Sequence, residues 1–268
     1  MKVSAWFGVL VFLPLWGVAQ DVSLGFKALH DGNHARARIA FEEVLEVDPD
    51  DVAAHYGLSR YYSLACINNK ERALDHLIQA EWNFPKGDEK ARAELKKAGV
   101  SRVNLRERRN SLEKSFLADA QTENTVAAYN AFLERFPKSR SSSAALVLRN
   151  TKAYQDAQAL GTVGALDEFI QGYPDTPEAA RAIPERDAQA AEIALKGNTE
   201  ESFRYFLDHY PQAQQAAMIE QRLYALAYQN AKAKSSSQAL EMYIRDFPES
   251  IFLPQAVELR DALRKQGK

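Results

Sequence analysis

The residues best suited to acid–base, nucleophilic or metal chemistry in this chain are few: His30, His34, His55, His76, His209 and a single cysteine, Cys66. His30 and His34 are four apart, a spacing that can put two ligands on one helix face. Asp31-Gly32-Asn33 between them has the composition of a turn, however, so the two rings are expected to part rather than converge on a metal. Cys66 stands among Leu64, Ala65 and Ile67. With no second cysteine to pair with, it reads as a small buried core residue. Asp48-Pro49-Asp50-Asp51 collects carboxylates without the spacing of a calcium loop, and an acidic helix cap accounts for it. No G-x-S-x-G, phosphate-binding glycine loop, dinucleotide fingerprint or H-E-x-x-H occurs. The expectation is a chain that is not an enzyme, with no catalytic residue, no metal and no cofactor.

What remains is charge. Between Lys86 and Lys114 basic residues outnumber acidic ones, and Lys96, Lys97, Arg102, Arg106, Arg108 and Arg109 make a candidate basic patch. Such a patch suits an acidic partner, lipid head groups or a cell-wall polymer. The plain alternative is the solvated face of a helix. The net charge of the whole chain is −2, which gives no general attraction to nucleic acid, and none is expected as a partner.

Residues 1–19 have the layout of a secretory signal peptide: Lys2, an apolar core from Ala5 to Trp16, then Gly17-Val18-Ala19 before Gln20. Cleavage is expected near Ala19-Gln20. No cysteine stands there to carry a lipid, and no later stretch is apolar enough to span a bilayer. The mature chain is therefore expected to be periplasmic or secreted, with no transmembrane segment.

The elements that must position any site come from a repeat. Phe136-Pro137, Tyr173-Pro174, Tyr210-Pro211 and Phe247-Pro248 are each 37 residues apart. Other columns keep that register: Phe132, Phe169, Phe206 and Tyr243; Tyr129, Leu166, Phe203 and Leu240; Thr125, Thr162, Thr199 and Ser236; Ala120, Ala157, Ala194 and Ala231. A fixed period of this size means stacked supersecondary units. The Thr or Ser column sits where a helix N-cap belongs, with Asn124 and Asn198 as possible sharers of that role. Apolar residues then follow at helical spacing, and the aromatic-proline pair ends the helix because the residue before proline is driven out of the α region. Ser139, Thr176 and Ser250 are placed to cap a second helix, whereas Ala213 in the third unit predicts a less sharp start. Pro184 predicts a kink or break, and Pro254 a later start to its helix.

Residues 24–85 change pattern. Leu24, Gly25, Gly32, Ala37, Phe41 and Pro49, then Leu58, Tyr62, Ala73, Leu77, Ala80 and Pro85, resemble the tetratricopeptide repeat (TPR), and the 37-residue units resemble the longer TPR variant of bacterial envelope proteins. The resemblance implies an all-α, TPR-like right-handed superhelix, an α-solenoid of about seven helical hairpins. Two TPR-like repeats would occupy 20–87, a divergent basic hairpin 88–122, and four 37-residue repeats 123–268. It further implies a non-catalytic scaffold or adaptor in the cell envelope that binds a protein or peptide on the concave face of the first helices. Phe26, His30, Tyr56 and Arg60 are the contact candidates in the N-terminal repeats, and Arg204 and Tyr205 those in the third long repeat. The alternative is binding of a cell-wall or envelope polymer through the basic bridge 86–114. The sequence sets neither the partner's identity nor an oligomeric state.

Overall fold

The computed structural model describes residues 21–85 and 88–266, so the expected signal segment 1–19, its cleavage position and Lys86 lie outside the described residues. Among the described residues there are fourteen α-helices and no strand. The described chain is an all-α series of helical hairpins. It divides into two compact units, one of residues 1–123 with 132–143, the other of residues 124–131 with 144–268.

In the first unit, α1 (Val22–His30) and α2 (His34–Val47) form one hairpin, and α3 (Val52–Tyr62) and α4 (Lys70–Trp82) the next. Their joint is a single fit of small against large. The Phe41 ring is fully buried, and a Cβ added at Gly25 or Gly57 would lie 2.4 or 2.3 Å from it. Only glycine at both positions lets α1 and α3 close on that ring. His30 ends α1 and His34 begins α2, with Asp31–Asn33 forming the expected turn. Gly32, at φ 72°, occupies the left-handed region where a side chain would be strained.

Across the second hairpin, His55 Nε2 donates to the Pro49 carbonyl at 2.9 Å, so its Nδ1 accepts from His76 Nδ1 at 2.9 Å. Tyr62 stacks on the far side of His76, with ring centroids 5.5 Å apart. Two neutral imidazoles satisfy each other here, where a buried unpaired ring nitrogen would be costly.

The basic bridge comprises α5 (Glu89–Lys97) and α6 (Arg102–Glu123). It departs from a regular hairpin. No residue of α5 is fully buried, whereas α6 packs on α4 through Leu105, Leu112 and Leu117.

The second unit carries the long repeats: α7 (Val126–Arg135, whose last residues belong to the first unit), α8 (Ser142–Leu160), α9 (Val163–Gly172), α10 (Pro177–Gly197), α11 (Glu200–His209), α12 (Ala216–Ala233), α13 (Ser237–Asp246) and α14 (Leu253–Lys265). Each first helix opens on the expected column. Thr125, Thr162 and Thr199 accept from Ala128, Ala165 and Ser202 amides at 3.0, 3.2 and 3.0 Å. Ser236 holds the same place without making the bond.

Asn124 and Asn198 do not share in capping. With Gly161 and Ser235 they form another column at the same period, all at positive φ from 46° to 62°. This is the left-handed step that ends one helix before the next cap begins. Asn tolerates that conformation better than most residues, which is why it stands there.

The second-helix starts differ from one another for visible reasons. Thr176 caps α10 through the Ala179 amide at 3.1 Å, with Pro177 at the first helical position. Ser139 instead accepts from Ser141, and α8 starts later. Ser250 does the same, accepting from the Phe252 amide at 3.1 Å while its Oγ also bonds the Tyr243 hydroxyl, and α14 begins at Leu253 with no side-chain cap. Where Ala213 replaces the capping residue, α12 likewise opens without a cap bond. The break expected at Pro184 does not occur: α10 runs through it. Pro184 and Ala180, whose carbonyl loses its partner, both lie on the exposed side, where water can replace the missing bond.

Candidate interaction groove

Regular columns bury one face of each first helix and leave the other free for recognition. Phe206 and Phe203 of α11 and Leu166 and Phe169 of α9 face the interior. At other positions the same helices present Tyr205, Asp167, Gly164 and Val163, which with α10 enclose a groove of about 560 Å³.

Its walls are apolar and aromatic. Ile193 from α10 is 63% exposed and Tyr205 from α11 is 58% exposed, values that place large apolar surface in water with no intramolecular cover. Tyr205 is nevertheless held still. Its ring stacks on His209 with centroids 3.9 Å apart, and His209 Nδ1 donates to the Tyr205 carbonyl at 2.8 Å. Gly164 keeps the groove open, since a Cβ added there would meet no atom within 4 Å.

The polar end of the groove is internally balanced. Asp167 accepts from Arg186 at 3.0 Å and from the Tyr210 hydroxyl at 3.3 Å, and the Arg186 guanidinium lies 4.9 Å over the Tyr210 ring. Burial opposes the Arg186 charge, but its bonds to Asp187 and Asp167 outweigh that and raise its pKa. Burial, reinforced by the Asp167 charge, pushes the Tyr210 phenol up as well. Tyr210 therefore stays a neutral donor, and the groove offers fixed hydrogen-bonding groups beside an apolar wall.

The remaining sequence-stated candidates are scattered by the structure. Tyr56 is buried, and Phe26 is half-buried with its ring edge-on to Phe41 at 5.0 Å. The Tyr56 ring lies 6.3 Å from that of Phe26, so both help to fill the joint between hairpins. For Tyr56, 9% exposed, this is a correction to its role as a contact residue. His30 and Arg60 are exposed. Arg204 is exposed with its guanidinium 4.8 Å over the Phe247 ring, outside the groove that holds Tyr205.

In the basic patch, Lys96, Lys97, Arg102 and Arg106 are exposed. Arg108 is not available to a partner. It inserts between hairpins, donating to the Ser59 carbonyl at 2.7 Å and to the Ser63 hydroxyl, and burial lowers its pKa. Arg109 is engaged by both oxygens of Glu81. Cys66 corrects the sequence expectation too. It is exposed in the turn after α3, with its Sγ 3.4 Å from His34 Nδ1, because the helix ends at Tyr62 before reaching it.

Sequence signals for the groove existed only in part. Tyr205 stood out as an aromatic off the core columns, but Gly164 and Ile193 gave no sign, since the groove arises only when three helices meet.

No family model matches the chain, and no curated protein does. Among solved structures it is similar to PilW, described as a widely conserved type IV pilus biogenesis factor, at 14% identity over 90% of this chain and 99% of that one, with a TM-score of 0.26. It is similar also to the TPR domain of P58(IPK), at 14% identity over 91% and 88%, with a TM-score of 0.24. No helix among the described residues is long and apolar enough to cross a membrane.

Proposed function

We propose that this chain is a non-catalytic interaction scaffold of the cell envelope that holds a segment of a partner protein in the groove between α9, α10 and α11. The observation that carries the reading is the pairing of two exposed apolar anchors, Tyr205 stacked on His209 and Ile193 on the facing helix, with an open floor at Gly164. Aromatic anchors set beside a preformed pocket are where interface energy concentrates. The groups that might do acid–base work there, Asp167, Arg186 and Tyr210, spend their bonding on one another. That arrangement supports recognition over catalysis. The envelope setting rests on the signal-like sequence of residues 1–19.

The test is a peptide-display selection against the chain, followed by affinity measurements on Gly164→Leu. A Cβ at position 164 meets no atom within 4 Å, so the chain has room to begin the leucine side chain there, and circular dichroism of the variant checks that the fold persists. Selected peptides should bind the variant at least about tenfold more weakly, a loss of roughly 1.4 kcal/mol. Peptides that bind both proteins equally would remove the groove from the reading. His30 and Arg60, exposed on the other unit, are proposed as secondary contacts and should matter less.

A further inference from the structure

The arginines near the end of α4 and the start of α6 separate into two kinds. Arg108 and Arg109 are structural, the first donating to Ser59 and Ser63, the second gripping Glu81. Arg102 and Arg106 have no carboxylate partner among the described residues. They are four apart on one face of α6, where like charges repel, and among the described residues no ion pair relieves either of them. A repulsive pair kept on the first two turns of a long helix is best explained by something that it binds.

The surroundings suit an organic anion. Arg102 and Arg106 line a cleft of about 350 Å³ together with Phe84, Leu105, Glu81 and Arg109. The Arg102 guanidinium is held 5.4 Å over the Phe84 ring, which fixes its plane while leaving its N–H edges open. Among the described residues that line the cleft Glu81 is the only carboxylate; it binds Arg109, which Glu113 also approaches at 3.9 Å. Neither carboxylate pairs with Arg102 or Arg106, which leaves two guanidinium groups side by side for an anion. A single carboxylate would neutralise one of them, whereas a phosphate monoester carries about −1.5 to −2 and three strong acceptor oxygens. Arginine's planar fork matches those oxygens two at a time. The cleft is larger than the phosphate alone, and its apolar floor of Phe84 and Leu105 is suited to the carbon body of the ligand.

We propose that this cleft is a binding site for an organic phosphate, with the phosphoryl group between Arg102 and Arg106 and the organic part against Phe84 and Leu105. The site stands on a different unit from the groove of α9–α11 and does not depend on it. A soluble phosphate monoester and the monoester head group of phosphatidic acid share this chemistry.

The experiment uses the whole chain in two arms: calorimetric titration with glycerol phosphate, and sedimentation with phosphatidic acid–phosphatidylcholine vesicles against phosphatidylcholine alone. Arg102→Gln/Arg106→Gln is compared with Lys96→Gln/Lys97→Gln, which removes the same charge from exposed positions outside the cleft. All three proteins are first matched by circular dichroism. Binding in either arm that falls at least about tenfold in the arginine variant and little in the lysine variant supports the site. The arm that responds identifies the source of the phosphate. Equal losses in both variants would reduce the effect to diffuse charge and overturn the site. So would unchanged binding by the arginine variant, or no binding by the parent protein in either arm.

Discussion

The two units build hairpins of the same class by different means. The first joins its helices through singular fits: one ring keyed between two glycines, one histidine pair, and one arginine threaded onto Ser59 and Ser63. The second repeats a simple rule, in which a threonine opens a helix, two apolar columns bury it, and an aromatic-proline pair ends it. The difference teaches where function can be sought. In the regular unit several apolar residues are exposed, and Tyr205 and Ile193 are informative because they line one groove. In the irregular unit Arg102 and Arg106 are informative because they line one cleft without an ion pair among the described residues.

The comparison can be broken or sharpened by substitution. The largest effect is expected at Phe206, which is 1% exposed. Phe206→Ala should cost about 3–5 kcal/mol in urea denaturation, since it empties a column of the regular core. A loss below 1 kcal/mol would mean that the column is not the core.

Next comes the keyed joint. Gly57→Ala puts a Cβ 2.3 Å from a ring that cannot retreat, and should destabilise by about 1–3 kcal/mol despite alanine's better helix propensity. Gly164→Ala, with open space around it, should stabilise by up to about 1 kcal/mol. Opposite signs for the same substitution in the two units would be the clearest expression of the contrast, and equal signs would erase it.

Caps give a smaller effect. Thr199→Ala removes a reciprocal cap with Ser202 and should cost about 1 kcal/mol, whereas Ser236→Ala, at a cap position that makes no side-chain bond, should cost a few tenths at most. Thermal melts of the two variants, run side by side, would separate them.

The mildest effect is a slope. Burial, then the neighbouring His55 and Arg72, hold His76 at a pKa of about 4, below its usual 6.5, with Asp75 opposing. Its folded form resists protonation, so the unfolded chain takes up more protons between those values. The stability from a neutral His76 is complete above about pH 6.5 and is lost as pH falls toward 4. Because the ring is only half-buried, solvent screening reduces the effect. His76→Gln should flatten the stability–pH curve across that interval. A curve unchanged by the substitution would mean that the ring protonates freely.

Much of the second unit was legible because its rule repeats. The caps at Thr125, Thr162 and Thr199 and the aromatic columns follow from spacing alone. The left-handed column escaped notice because Asn124, Gly161, Asn198 and Ser235 share a backbone conformation rather than a residue type. Ser139 and Ser250 do not cap as expected because each hydroxyl accepts from the amide two residues on, a local turn that delays the helix start. In the first unit sequence gave the helices but not their joints. Nothing local says that Tyr56 is buried, that Arg108 threads between hairpins, or that α3 stops short of Cys66. Those outcomes depend on distant residues, and so does the groove.

The central claim is that the groove of α9–α11 receives a partner. Its most direct test is a photo-crosslinking residue placed at Ile193 and, separately, at Val147, which is as exposed but lies on α8 away from the groove. The account predicts one discrete adduct from position 193 in cells that express the chain at native level, abolished by Gly164→Leu, and none from position 147. Equal labelling from both positions, or an adduct indifferent to the filled groove, would contradict it.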